Sequence, residues 1–133
     1  MKTCPSCGAL GMVCESRDIP FDYKGERLIV SQVRGWYCTS CGETLFADGE
    51  GARYAADIDR FVKEFEARQT EELRRIRRKL HLSQKEAAQL FGGGINAFSE
   101  YERGTTKPAK STLLLMKLLD KHPDLVDEVR RYA

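Results

Sequence analysis

Two cysteine pairs constrain this chain more than any other feature. Cys4-Pro-Ser-Cys7 is followed, after an interval of 30 residues, by Cys38-Thr-Ser-Cys41, and a glycine (Gly8, Gly42) directly follows each pair. A C-x-x-C pair puts two thiols on one tight turn, and two such turns brought together offer four sulfurs at tetrahedral spacing. Four thiolates fill every position on Zn²⁺ and leave none for water, so the expectation is one structural zinc per chain held by Cys4, Cys7, Cys38 and Cys41. A rubredoxin-like iron site uses similar ligands at similar spacing. Disulfides are disfavoured because nothing marks the chain as secreted. A thioredoxin-type redox pair is disfavoured because the motif is duplicated and no βαβ pattern surrounds it. The glycine after each pair is expected to relieve crowding where the backbone turns toward the metal. Cys14, the odd cysteine, is expected as a small hydrophobe within a strand.

Between the knuckles, "GMVCESRDI" and "ERLIVSQV" alternate in short bursts, with "PFDYKGE" as the turn signal between them. This predicts two or three short antiparallel strands. So few residues bury little core, and metal binding is expected to supply most of the folding energy of this part. From about Asp48 the pattern changes. Tyr54, Ile58, Phe61, Val62 and Phe65 recur at helical spacing, which predicts a packing helix running to a polar junction near Arg68 to Thr70.

The second half reads as helical throughout. Leu73, Ile76, Arg77 and Leu80 fall along one side of a helix. Ser83, with Glu86 three residues on, predicts a capping box opening the next helix, which keeps Ala87, Leu90 and Phe91 inward. "INAFSEYERG" predicts a short helix ending at Gly104, with Phe98 and Tyr101 inward. "TLLLMKLLDKH" is a very apolar helix, and Pro123 opens the last one. Between the two short helices lies "FGGGINAF", and a phosphate-cradling loop is the first thing to test there. A Walker-type loop needs Lys and Ser or Thr after its last glycine, whereas Ile95 and Asn96 follow Gly94. The glycines instead predict a helix-turn-helix. Gly92 would supply a positive φ, and Gly93 and Gly94 would let the helix start approach DNA closely, with N–H groups facing phosphate. Asn96 and Glu100, four residues apart, share one face of the second short helix.

Charge supports two modules. Residues 1–68 hold 9 Lys/Arg against 11 Asp/Glu, and residues 69–133 hold 13 against 9, so a net of −2 precedes a net of +4. A basic second half suits nucleic acid. No apolar run approaches the ~18 residues of a membrane span and no signal peptide is evident, so a cytoplasmic protein is expected.

The string "LSQKEAAQLFGGGINAFSEYERG", Leu82 to Gly104, resembles the helix-turn-helix of lambda-repressor-like (XRE) regulators. Together with the N-terminal knuckle pair, the whole chain resembles the MqsA-type antitoxins. The resemblance implies an α+β protein: a small Cys4 zinc domain with short antiparallel strands and a helix over residues 1–68, then an all-α lambda-repressor-like domain over residues 69–133. It further implies that the zinc domain binds and neutralises an MqsR-type ribonuclease toxin. The second domain would dimerise and repress the antitoxin's own operon. Asn96 matches the family's base-reading asparagine, whose amide suits adenine N6 and N7. Glu100 departs from the family's arginine, and two readings stand: it accepts from cytosine N4, or it is a solvated helix residue. Gln84 matches a phosphate-contacting glutamine; Lys85, Arg103 and Lys107 are expected phosphate partners, with Gly94 at the point of close approach. Arg77 and Glu102 match an ion pair that braces the helices.

The surplus of apolar residues in "LLLMKLL" exceeds one inward face and is expected to form a homodimer seam, as a palindromic operator requires. His81 and His122 lack partners at metal spacing and are expected at the surface or at helix caps. No Ser/His/Asp set, carboxylate pair or open metal site is visible, so an enzyme is not expected. The alternative to an antitoxin is a zinc-ribbon repressor of the XRE type that answers to a different protein or signal.

Overall fold

The computed structural model describes residues 2–133. Two compact units, Met1–Lys63 and Glu64–Ala133, divide the chain.

The first unit is a three-stranded antiparallel sheet in the order β1-β2-β3, followed by the start of a helix. β1 (Val13–Tyr23) and β2 (Glu26–Tyr37) form a ribbon of 11- and 12-residue strands, longer than the short strands expected from the sequence. The segment "PFDY" belongs to β1, and the turn is only Lys24 and Gly25, at φ 47° and 86°. Both residues being left-handed gives the two-residue turn that matches strand twist. Pro20 is tolerated in β1 because this is an edge strand, where its missing N–H interrupts no central ladder. A bulge lies between Arg17 and Ile19. There Asp18 accepts from the Gln32 backbone N–H at 2.9 Å and from its side-chain amide at 3.2 Å, which pins Gln32 at φ 52°. β3 (Thr44–Phe46) pairs with the end of β2 opposite Gly35. A Cβ on Gly35 would sit 2.5 Å from the Leu45 carbonyl oxygen, so only glycine permits that approach.

α1 (Glu50–Lys79) is a single 30-residue helix, and the boundary between the units falls inside it. The polar junction expected near Arg68 to Thr70 is therefore helical. That stretch holds neither glycine nor proline, and the Thr70 hydroxyl donates to the Glu66 carbonyl at 2.9 Å, so its polarity breaks nothing. Within the first unit, Phe61 meets Phe21 edge-on at 6.4 Å and Tyr54 meets Phe46 at 5.3 Å. Glu50 accepts from the Arg34 backbone N–H at 2.8 Å and from Arg53 Nε at 2.6 Å. Cys14 lies in β1 as expected but is exposed, not packed. It sits on the edge strand opposite half-buried Trp36, where nothing covers it.

The second unit packs α2 (Gln84–Phe91), α3 (Ala97–Arg103), α4 (Lys110–Lys121) and α5 (Val126–Tyr132) with the end of α1. Pro123 opens a 3₁₀ turn, Pro123–Leu125, and α5 follows it. The core comprises Leu73, Ile76, Leu80, Leu82, Ala87, Ala88, Ala97, Phe98, Met116, Leu119 and Val126. Ala88 is buried in this core beside Ala87. His81 and His122 are exposed, the latter at the C-terminal cap of α4. Among the described residues, no helix is long and apolar enough to cross a membrane.

Candidate metal centre and nucleic-acid interface

The knuckles are two copies of one local geometry. In each, the glycine after the second cysteine donates its N–H back to the first cysteine's carbonyl: Gly8 to Cys4 at 2.9 Å, Gly42 to Cys38 at 3.1 Å. A second bond closes each loop from the other side, Cys4 to the Ala9 carbonyl and Cys38 to the Glu43 carbonyl, both at 2.9 Å. Gly8 and Gly42 hold φ 77° and 79°, and a Cβ on either would meet nothing within 4 Å. Glycine is required there for its left-handed backbone, not to relieve crowding as expected.

These loops bring four thiols together. Cys4 and Cys41 sulfurs lie 3.6 Å apart, as do those of Cys7 and Cys38, and all four fall within 4.8 Å of one another. A tetrahedral ion with metal–sulfur bonds near 2.3 Å separates its ligands by about 3.8 Å, so the donor set fits a four-thiolate metal ion. The backbone N–H groups of Cys41 and Ser40 favour the Cys38 thiolate and lower its pKa to about 6. At Cys41 the Glu43 N–H also acts to lower the pKa, but burial and the neighbouring thiols outweigh it and push it up to about 12. Cys38 and Cys41 are thus shifted in opposite directions, and a divalent cation held there would favour the thiolate form of both. Met12 at 6% exposure, with Ala9, Trp36 and Leu45, walls the buried side. Ser6 donates to Glu43 at 2.5 Å, tying one knuckle to the other.

In the second unit the two short helices start differently. Ser83 has ψ 165° and accepts from the Glu86 N–H, while the Glu86 carboxylate accepts from the Ser83 N–H, so the capping box is complete. Asn96 occupies the same position on α3, but with ψ 4° its side chain makes no cap hydrogen bond. An asparagine caps well only from an extended backbone. Its amide is left exposed at the head of α3.

The turn that sets this backbone is Gly92-Gly93-Gly94, with φ 85°, 97° and 96°. A Cβ on Gly92 or Gly94 would meet nothing within 4 Å, whereas one on Gly93 would press on the Tyr101 hydroxyl at 2.8 Å and the Ala97 Cβ at 3.0 Å. Gly93, expected to allow close approach to DNA, is exposed and also lies close against Tyr101. Gly94 is exposed and its carbonyl accepts from the Ala97 N–H at 3.1 Å.

Four of the other expected DNA contacts have protein partners. Glu100 lies one turn after Asn96, its N–H donating to the Asn96 carbonyl at 3.0 Å, and its carboxylate accepts from the Thr106 hydroxyl at 3.4 Å. Arg103 is exposed and donates to the Ser99 carbonyl at 3.2 Å. Lys107 is ion-paired with Glu66, 41 residues earlier. Lys85 is exposed on the first turn of α2. Gln84 donates its amide to Glu102 at 3.2 Å.

That last contact joins a buried network. Glu102 is 4% exposed and accepts from Arg77 Nε and Nη2 at 3.0 and 2.8 Å, a bidentate pair. Arg77 also donates to the Leu82 carbonyl at 2.9 Å, so one guanidinium locks α1, the α2 approach and α3. Arg74, one turn before Arg77, completes the set with Nε 3.4 Å from Glu102. The i, i+3 spacing of Arg74 and Arg77 was the available sequence signal for this third partner. Nothing local pairs Glu66 with Lys107.

Residues 1–130 match a family described as the antitoxin component of a bacterial toxin–antitoxin system, MqsA. Antitoxin MqsA of Escherichia coli (strain K12) is 39% identical over 129 residues, covering 96% of this chain and 98% of that protein. A solved structure of the N-terminal domain of the E. coli protein MqsA aligns with 50% of this chain and 98% of its own, at 27% identity and a TM-score of 0.46.

Proposed function

The chain belongs to the MqsA family of antitoxins, components of bacterial toxin–antitoxin systems, and from that premise we propose a division of labour within it. Residues 1–68 hold one zinc through Cys4, Cys7, Cys38 and Cys41, and bind and neutralise an MqsR-type ribonuclease toxin. Residues 69–133 form a homodimer that binds palindromic operator DNA in the cytoplasm and represses the chain's own operon. Zinc suits four thiolates because it needs no redox change and no open ligand position.

The observation that carries the DNA-binding part is Asn96. It stands exposed at the head of α3, in a cap position its backbone does not let it use, on a turn seated against Tyr101. An amide so placed can offer its donor and acceptor together to adenine. Lys85, Arg103, Lys107 and the Gly94 backbone would meet phosphate around it, with Gln84 sharing its amide between Glu102 and phosphate. Lys107 would exchange Glu66 for a phosphate oxygen, a substitution of one anion for another. Glu100 either accepts from cytosine N4 or holds the following loop through Thr106. The exposed Leu114 and Leu118, at 56% and 49%, lie one turn apart on α4 and supply the apolar seam for a second copy.

Selection of binding sites from random duplexes by the full chain tests this reading. A two-fold-symmetric motif is expected, and Asn96→Ala should lower specific affinity by about 1–3 kcal/mol per contact. Non-specific affinity should barely move, because backbone charge governs it. Recovery of no motif would remove the DNA-binding part. Co-purification from the intact operon tests the other part: a small basic toxin should accompany the chain, and its absence would favour a repressor with another partner.

A further inference from the structure

Resting on the DNA-binding reading above, we propose that Ile95 is a second base-reading residue, recognising the 5-methyl group of a thymine beside the base that Asn96 contacts. Ile95 is 68% exposed, more so than either apolar residue left open on α4. It lies outside the core of the second unit and outside the half-buried residues packed against that core. Buried residues begin two positions later, with Ala97 and Phe98 at 3% and 0% exposure. The sequence therefore places a large β-branched side chain where the fold makes no use of it.

Its position is held firmly. Ile95 and Asn96 are the central residues of a turn closed by the Ala97 N–H on the Gly94 carbonyl at 3.1 Å. That turn is seated on Tyr101 through Gly93, and Tyr101 in turn packs edge-on against Phe98 at 5.3 Å. A β-branched side chain also has few rotamers to lose on contact. Adjacent on this turn, Asn96 and Ile95 offer a polar reader and an apolar one. The major-groove edge of DNA displays one apolar group, the thymine methyl, next to patterned donors and acceptors. The pair matches an adenine and a neighbouring thymine.

Replacing thymine by uracil in the selected duplex removes only that methyl. With the full chain, uracil at one position per half-site should weaken binding about 3- to 10-fold, the effect of losing burial of roughly one methyl group. Ile95→Ala should lose a similar factor on the thymine duplex and show no further loss on the uracil duplex. Ile95→Val, which keeps a branched methyl in reach, should retain most of the affinity and the sensitivity to uracil. Unchanged melting of both variants would show that the effect lies in binding. A selected motif whose thymines can all be replaced without loss would overturn the inference while leaving Asn96 and DNA binding intact. So would Ile95→Ala that kept full sensitivity to uracil. If no motif were selected at all, the DNA-binding reading would fall first and this inference with it.

Discussion

Beside the knuckles, the first unit buries Cys4, Met12 and Cys38 with Ala9, Trp36 and Leu45 around them, whereas the second unit buries eleven residues in one cluster centred on Phe98, Ile76 and Met116. Two of the three buried members of the smaller cluster thus belong to the four-thiol group. The hairpin adds Val30, Val33 and Tyr37, the last donating its hydroxyl to the Val33 carbonyl, but the outer residues of β1 are exposed along most of its length. A domain this small cannot bury enough apolar surface to offset the entropy of ordering it. Each unit therefore has its own weak point: sulfur chemistry in one, cavity formation in the other.

The largest break in that contrast comes from Cys38→Ser. Structural zinc contributes about 10–16 kcal/mol of binding free energy in small domains, far more than the cluster around it can replace. Metal content should fall from about one zinc per chain to near zero. The sheet of the first unit should be lost, while the helical circular-dichroism signal of residues 64–133 persists. A variant that kept both metal and sheet would end the four-thiolate assignment. Phe98→Ala is the matching change in the second unit. Removing a fully buried ring should destabilise that unit by about 3–5 kcal/mol in denaturant titration, with metal content unchanged.

A smaller effect sharpens the comparison inside the second unit. Ser83→Ala removes a working cap and should cost about 1 kcal/mol. Asn96→Ala removes none and should leave the melting temperature nearly unchanged, its loss appearing in DNA binding instead. Equal destabilisation by the two would mean that Asn96 is structural. The smallest effect is a pH dependence. Arg75 and Lys79 hydrogen-bond to Asp120 and hold its carboxyl down to about 2 from an ordinary 3.8. The unfolded chain therefore takes up this proton first as pH falls. The contact contributes fully above about pH 4 and is lost progressively toward pH 2. Melting temperatures of the wild type and Asp120→Asn should converge across that window and differ above it.

Much of this was legible in the residues. The clustering of the four thiols could be read because C-x-x-C spacing is a local device, complete within a few residues each time. The capping box at Ser83, the left-handed cap at Gly104 and the positive φ at Gly92 are local too, and each is present in the structure. The inward set Leu73, Ile76 and Leu80 followed from helical period alone. The bracing of Glu102 by Arg77 came from family resemblance, since 25 residues separate them and no spacing rule connects them.

Short-range geometry in the residues alone carries the thiol set, the helix caps, the turns that need glycine and the alternation of apolar faces. The packed fold set the rest. It extended β1 through Pro20 because the strand lies on an edge, and left Cys14 open for the same reason. It carried α1 through Arg68 to Thr70, since polar side chains find partners on a helix as readily as in a loop. It gave Lys107 to Glu66, Gln84 to Glu102 and Gly93 to Tyr101, pairings across 41, 18 and 8 positions. Such partners meet only once the helices have packed. The choice among many charges of similar reach is then made by position in space, which no window of neighbouring residues contains.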